Sequence, residues 1–309
     1  MTLDPSLSEA LERFGLVALR EAPCRLSGDV GGRRYFRVRP AGGVNRLVVL
    51  YPEPGSAPQR NWTELQGELD RAGLRVPRLE EDAPDIAAAL IEDLGDRDLA
   101  DELAEAPHED RARLLDEAEG MLGAVRSLAP ERVQAWNPPF DAAFFARELA
   151  MTRHWALERG GEAPLTAGEA AAWDGLAGEL AATAAAGAPV PTHRDFHANN
   201  LMRTPAGELA VIDFQDLRMG PRDYDPVSLR FERAGAGVGA DPSAYSEAVL
   251  LQRAWKVLGT FEKMLQLGRA VYRPHRDTTL AVLRRATAGQ SRYQGLLQLL
   301  ERAGVSSLA

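Results

Sequence analysis

PTHRDFHANNLMRTPAGELAVIDFQD, residues 191–216, is the stretch that decides how this chain folds and what it can do. It carries His193, Asp195 and Asn200 as His-x-Asp-x4-Asn, then the apolar pair Val211-Ile212, then Asp213-Phe214. With only 5 His in 309 residues, the first part alone is expected by chance about 0.005 times. The residue types fit one chemistry. Phosphoryl transfer needs an alcohol held in line with a γ-phosphate, and divalent metal to neutralise the charge. Asp195 is placed to accept the proton of an attacking hydroxyl. Asn200 and Asp213 offer oxygen ligands, which suit Mg²⁺ as a hard cation. Leu201–Asp213 reads as a hairpin around Pro205-Ala206-Gly207, a shape expected to bring Asn200 and Asp213 side by side. His193 reads as structural, orienting the loop, and His197 as a packed loop histidine.

Outward from this stretch, the two sides differ. Upstream, residues 6–20 have helical spacing, with Ser6 or Ser8 as a possible N-cap. Arg34–Val38 and Asn45–Tyr51 are β-branched or aromatic runs across a Pro-Ala-Gly-Gly turn and predict a hairpin. Residues 60–73 read as a helix ending at Gly73, and Ala87–Ile91 as a third strand. From residue 98 the pattern becomes helical, over 109–128, 140–158, 166–186, 243–269 and 278–304, with Pro or Gly between segments. The expected architecture is α+β: a small antiparallel-sheet lobe with one helix over 1–94, and a larger, mainly helical lobe over 95–309 that carries the catalytic loop and the acceptor site. A length of 309 residues fits two such parts.

Composition narrows the function classes. A net charge of −9 argues against a general nucleic-acid binder, which needs clustered positive charge. Cys24 is the sole cysteine, so no internal disulfide framework exists and a reducing compartment is expected. No apolar run approaches the roughly 18–20 residues that span a bilayer. The first residues carry acids early and lack a basic start before an apolar core. These features predict a cytoplasmic protein without nucleic-acid or membrane partners, expected to be a monomer. From Pro226 onward there are 12 Lys/Arg against 6 Asp/Glu, a bias toward a neutral or anionic acceptor if this segment helps to bind one. Lysine occurs only at Lys256 and Lys263, so 34 of 36 basic residues are arginines.

The order His-x-Asp-x4-Asn, then Ile-Asp-Phe, then Gly220-Pro-Arg-Asp-Tyr224-Asp225 resembles the aminoglycoside/choline kinase phosphotransferases, relatives of the protein kinases. Further pieces are similar to the anomeric sugar kinases acting on N-acetylmuramate and N-acetylglucosamine in cell-wall recycling. They are Arg33–Val38, Leu90–Asp96, HRDFHANNLM, IDFQD, Tyr224–Leu229 and Trp255–Phe261. The resemblance implies a bilobal, kinase-like fold with ATP in the cleft. In that fold residues 27–34 cover the phosphates, Gly28, Gly31 and Gly32 permit close backbone approach, and 92–94, with Glu92 and Leu94, form the adenine hinge. His193 and Asp225 take structural places. The acceptor alcohol is then an anomeric sugar hydroxyl and the product a sugar 1-phosphate, with Gln215, Asp216, Arg218 and Lys256 as acceptor contacts. Trp255 is more simply a core residue. One departure stands out. The third-strand lysine that grips the α/β-phosphates in protein kinases has no counterpart in Leu47–Tyr51. Arg34 is one candidate to supply that charge through its planar fork, and Arg33 and Arg37 are others. The open alternatives are a kinase for another small alcohol (a hexose, an aminoglycoside, choline) and a nucleotide-binding pseudokinase.

Overall fold

A computed structural model of the chain describes residues 4–26, 32–159 and 164–305. It resolves into two compact units, Met1–Arg97 with Leu201–Gln215, and Asp98–Asn200 with Asp216–Ala309. The mixed helix-and-sheet architecture expected from the sequence is present.

The first unit begins with α1 (Pro5–Arg13), capped by Asp4, whose carboxylate accepts the Ser6 N–H. The helix is shorter than its periodicity predicts because Gly15 takes φ +65° and turns the chain. Strands β1 (Cys24–Arg25), β2 (Arg34–Val38) and β3 (Arg46–Leu50) follow, then α2 (Ala57–Arg71), β4 (Leu79–Ala83) and β5 (Ala88–Glu92). They form one antiparallel sheet in the order β1-β2-β3-β5-β4. β4 escapes the sequence reading because Leu-Glu-Glu-Asp-Ala is acidic, as suits the sheet edge it occupies.

Register assigns the two faces of this sheet. Phe36 pairs with Val48 and Val48 with Leu90, and all three join Leu7, Ala10 and Leu11 of α1 in one apolar cluster. Tyr35, Arg37, Leu47 and Val49 therefore point to the other face, since side chains alternate along a strand.

The second unit is built mainly of helices. Helix α3 (Leu99–Glu105) opens with a capping box between Asp98 and Asp101. Then come α4 (His108–Gly120), α5 (Leu122–Arg126), α6 (Pro130–Trp136), α7 (Ala142–Thr152), α8 (Ala167–Ala184) and the short strand β6 (Val190–Thr192). A π-helical turn, Arg153–Glu158, extends α7. Thr166 and Glu169 form a second capping box at α8. The helix expected over 109–128 is thus two segments that break at Met121.

The chain next returns to the first unit with the hairpin β7 (Leu201–Arg203) and β8 (Leu209–Val211), in which Leu201 opposes Val211. It is tied there by Val211 N–H to the Arg75 carbonyl at 2.8 Å, by Arg203 N–H to the Arg97 carbonyl at 2.8 Å, and by Phe214 stacked on Trp62. A cut at residue 94 assigns this hairpin to the other side. Chain order alone does not show the return.

Strand β9 (Arg218–Gly220) pairs with β6 in the second unit. Helices α9 (Tyr224–Phe231), α10 (Glu247–Gln266), α11 (Arg273–Ala286) and α12 (Ser291–Arg302) complete it. The span 278–304, read as one helix, is divided at Gly289, whose φ is +77°. Trp173, Trp255, Phe145, Leu149, Tyr224, Leu258 and Leu283 belong to the main core of this unit. Helices α7 and α10 touch at backbone range: a Cβ on Gly259 would lie 2.6 Å from Thr152 Cα. Among the described residues no helix is long and apolar enough to cross a membrane.

Candidate active site

In the second unit the loop 193–200 is held from beneath by Asp225. Its carboxylate, buried at the start of α9, accepts the backbone N–H of His193 at 2.7 Å and of Arg194 at 3.0 Å. Burial raises the Asp225 pKa, against the pull of these two N–H groups and of His193. The clamp fixes a strained backbone, because Arg194 sits at φ +84°. His193 is fully buried, with its ring edge-on to Phe196. Both residues read as structural therefore face inward. His197 is buried too, and burial pushes its pKa down to about 4, so it is neutral at physiological pH.

Asp195 is the exposed end of this loop, with a quarter of its side chain open to solvent. Three cations surround it. Arg253 Nη2 lies 3.2 Å from Oδ1, Lys256 Nζ lies 3.6 Å from the same oxygen, and Arg194 is its chain neighbour. Burial alone would raise the Asp195 pKa, but Lys256, Arg253 and Arg194 outweigh it and hold the carboxyl well below the usual range. Asp195 is thus held in its ionised form by its neighbours. Asn200 donates its side-chain N–H to the Asp195 carbonyl at 2.8 Å, which fixes the amide.

The sequence reading missed Arg253, an arginine tied to this loop. It is buried on α10 and donates to Glu232 at 2.6 Å, Ser228 at 3.0 Å, Tyr224 at 3.0 Å and the Arg194 carbonyl at 2.9 Å. The Glu232 carboxylate, though buried, is held down to about 2, mainly by Arg253. Arg253 and Lys256 stand three apart and so share one helix face, which was the available signal. Trp255 is wholly buried, edge-on to Trp173, and is a core residue.

Asp216 and Arg218, expected to touch the acceptor, are engaged inside the unit. Asp216 pairs with Arg194. Arg218 is buried, lies over the rings of Phe140 and Phe144, and donates to the Asp216 carbonyl at 3.0 Å. Arg194 also approaches Glu148, which the sequence reading missed, at 3.7 Å.

The first unit carries Asp213, just after β8, at φ +64°. Its Oδ1 accepts from Gln215 Nε2 at 2.6 Å and lies 3.5 Å from Arg33 Nη2. Gln215, expected as an acceptor contact, thus stands beside Asp213. Arg34 pairs with Asp4, on the α1 side of the sheet. Arg37 is buried between Asp93 and Asp96, at 2.6 Å from each. Glu92 pairs with Arg75 at 2.5 Å, which with the Arg78 N–H lowers its pKa against the effect of burial. Leu94 is buried. Gly32 takes φ +82°, whereas Gly28 and Gly31 lie outside the described residues.

No cluster of three or more His, Cys, Asp or Glu able to hold a metal alone occurs among the described residues. A magnesium ion arriving on nucleotide phosphates needs less, because waters and phosphate oxygens complete its shell. The Asp213 carboxylate and the Asn200 amide oxygen suit that donor chemistry.

Residues 24–259 match the phosphotransferase enzyme family (APH). The chain belongs to this family. It is 32% identical over 203 residues to the N-acetylmuramate/N-acetylglucosamine kinase of Pseudomonas aeruginosa, a match covering 66% of this chain and 57% of that one. To the enzyme of the same name from Neisseria meningitidis it is 28% identical over 304 residues, covering 89% and 88%. Among solved structures, the choline/ethanolamine kinase family protein of Mesorhizobium loti superposes with a TM-score of 0.58 at 15% identity, over 96% of this chain and 99% of that one. The aminoglycoside phosphotransferase APH(4)-Ia, in complex with ADP and hygromycin B, gives 0.59 at 16% identity, over 92% and 99%. At such identities the structural likeness speaks for the fold, which is that of kinase-like phosphotransferases.

Proposed function

We propose that this phosphotransferase moves the γ-phosphoryl of ATP to the anomeric hydroxyl of an N-acetylated amino sugar, N-acetylmuramate or N-acetylglucosamine, and yields the sugar 1-phosphate. The relatives' names support the sugar class. The observation that carries the reading is the ion cluster at Asp195, whose carboxylate stands 3.2 Å from Arg253 and 3.6 Å from Lys256 and so stays charged. An anomeric hydroxyl is more acidic than an ordinary alcohol, so a carboxylate is an adequate base for it. In this reading Asp195 orients that hydroxyl and takes its proton as the new P–O bond forms, which suits a loose transition state that needs little prior deprotonation. Lys256 and Arg253 keep the carboxylate charged until then.

Asn200 and Asp213 are the proposed oxygen ligands of a Mg²⁺ ion, which when bound neutralises charge on the phosphates. Glu92 and Leu94 are proposed at the adenine edge through their backbone groups, and residues 27–34 over the phosphates. The cationic Lys256 favours a neutral or anionic acceptor over a polycationic one, because an aminoglycoside would meet repulsion there.

The test is coupled ADP release with Mg-ATP against N-acetylmuramate, N-acetylglucosamine, glucose, choline and kanamycin, followed by ³¹P NMR of the product. A sugar 1-phosphate resonance is expected. Phosphorylation of kanamycin or choline would overturn the substrate, and nucleotide binding without turnover on any acceptor would point to a pseudokinase.

A further inference from the structure

Lysine is absent before residue 256, so some other group must meet the nucleotide phosphates that a third-strand lysine meets in protein kinases. On β3 the face opposite α1 presents Leu47 and Val49.

Three arginines lie close by in the chain, and the fold sorts them. Arg34 is directed to the α1 side and pairs with Asp4. Arg37 lies on the opposite face but is held by Asp93, by Asp96 and by the Gly95 carbonyl at 3.1 Å. Arg33 immediately precedes β2, and strand alternation puts it on the face of Tyr35 and Arg37. Its guanidinium lies over the Tyr35 ring at 5.9 Å, in keeping with that face. The side chain is only 9% exposed and aims at the Asp213 carboxylate across 3.5 Å, longer than a formed charge-assisted hydrogen bond. Asp213 meanwhile accepts a shorter bond from Gln215.

We propose that Arg33 takes the place of the missing lysine: it grips the phosphates of the nucleotide whose metal Asp213 holds. The proposal rests on the nucleotide-binding part of the function given above and not on the identity of the acceptor. The geometry suits the exchange. The planar fork of Arg33, 3.5 Å from the Asp213 carboxylate, lies within reach of the phosphate oxygens of a nucleotide whose metal Asp213 holds. Gly32, at φ +82° and with Pro52 3.2 Å from where a Cβ would stand, fixes the backbone from which Arg33 projects.

Calorimetric titration of the full-length chain with Mg-AMP-PNP, and separately with adenosine, tests this. Arg33→Met and Arg33→Gln should each weaken Mg-AMP-PNP binding roughly 10- to 100-fold, the worth of one charge-assisted contact. Adenosine affinity should stay within about twofold, because the neutral ligand never meets the guanidinium. Arg33→Lys should regain part of the loss. If Arg33→Met fails to fold by circular dichroism, Arg33→Gln, which keeps a polar group of similar reach, decides. Unchanged Mg-AMP-PNP affinity, equal losses for adenosine, or a loss confined to Arg34→Met would each overturn the assignment. So would a wild-type chain that does not bind Mg-AMP-PNP. Because the readout is nucleotide affinity, a chain that phosphorylates some other alcohol would overturn the amino-sugar reading and leave Arg33 standing.

Discussion

Asp195 shows how far a single side chain can be read before its neighbours are known. Its spacing from Asn200 marks it as a candidate base, yet the cations that set its charge come from a helix more than fifty residues downstream. Asp195→Asn should lower turnover by about 10²- to 10⁴-fold, with nucleotide affinity retained; near-normal rates would remove it from the chemistry. Lys256→Met is a finer probe. Losing that cation lifts the Asp195 pKa toward the ordinary range, so the acid limb of the kcat–pH profile should move to higher pH. A profile that falls in amplitude without moving would instead make Lys256 a substrate contact only. Asp195, Asn200 and Asp213 were legible as candidates because so few residue types suit metal and proton work at that spacing. Arg253 was not, since an arginine in an apolar helix looks the same whether it snorkels to solvent or lies buried against Glu232.

At the scale of elements, periodicity found most helices and strands but misplaced their ends. The predicted 278–304 helix is two because Gly289 turns left-handed, and β4 was missed because an acidic edge strand lacks the apolar alternation that marks a half-buried one. Packing of one element on another leaves no such trace. Gly259 carries no turn; it is small because α10 crosses α7 there, with the Thr152 hydroxyl donating to the Trp255 carbonyl at 2.7 Å. Gly259→Ala should destabilise the fold by about 1–3 kcal/mol through overpacking, despite the better helix propensity of alanine. Urea unfolding measures this, and a stabilised variant would show that the crossing can open at no cost.

For the molecule as a whole, the buried Arg253–Glu232 pair links stability to acid. The Glu232 carboxyl stands at about 2 when folded and near 4.5 when unfolded. Its contribution is therefore fully present above pH 4.5 and is lost as pH falls toward 2, a total of roughly 3 kcal/mol. Glu232→Gln removes the nearer of the two carboxylates that face Arg253, Asp195 being the other, and should cost about 3–5 kcal/mol at neutral pH, while flattening the decline of unfolding free energy between pH 4.5 and 3. An undiminished slope in that variant would sink the assignment. The sequence by itself determined the α+β class, the family, the loop that carries Asp195 and the lack of an early lysine, because these depend on local spacing and on residue counts. Only the tertiary structure decided which arginine meets Asp213, what keeps Asp195 ionised, and that the hairpin 201–215 packs with the first unit. Those depend on contacts between residues distant in the chain, and spacing along a sequence carries no record of charge brought together by folding.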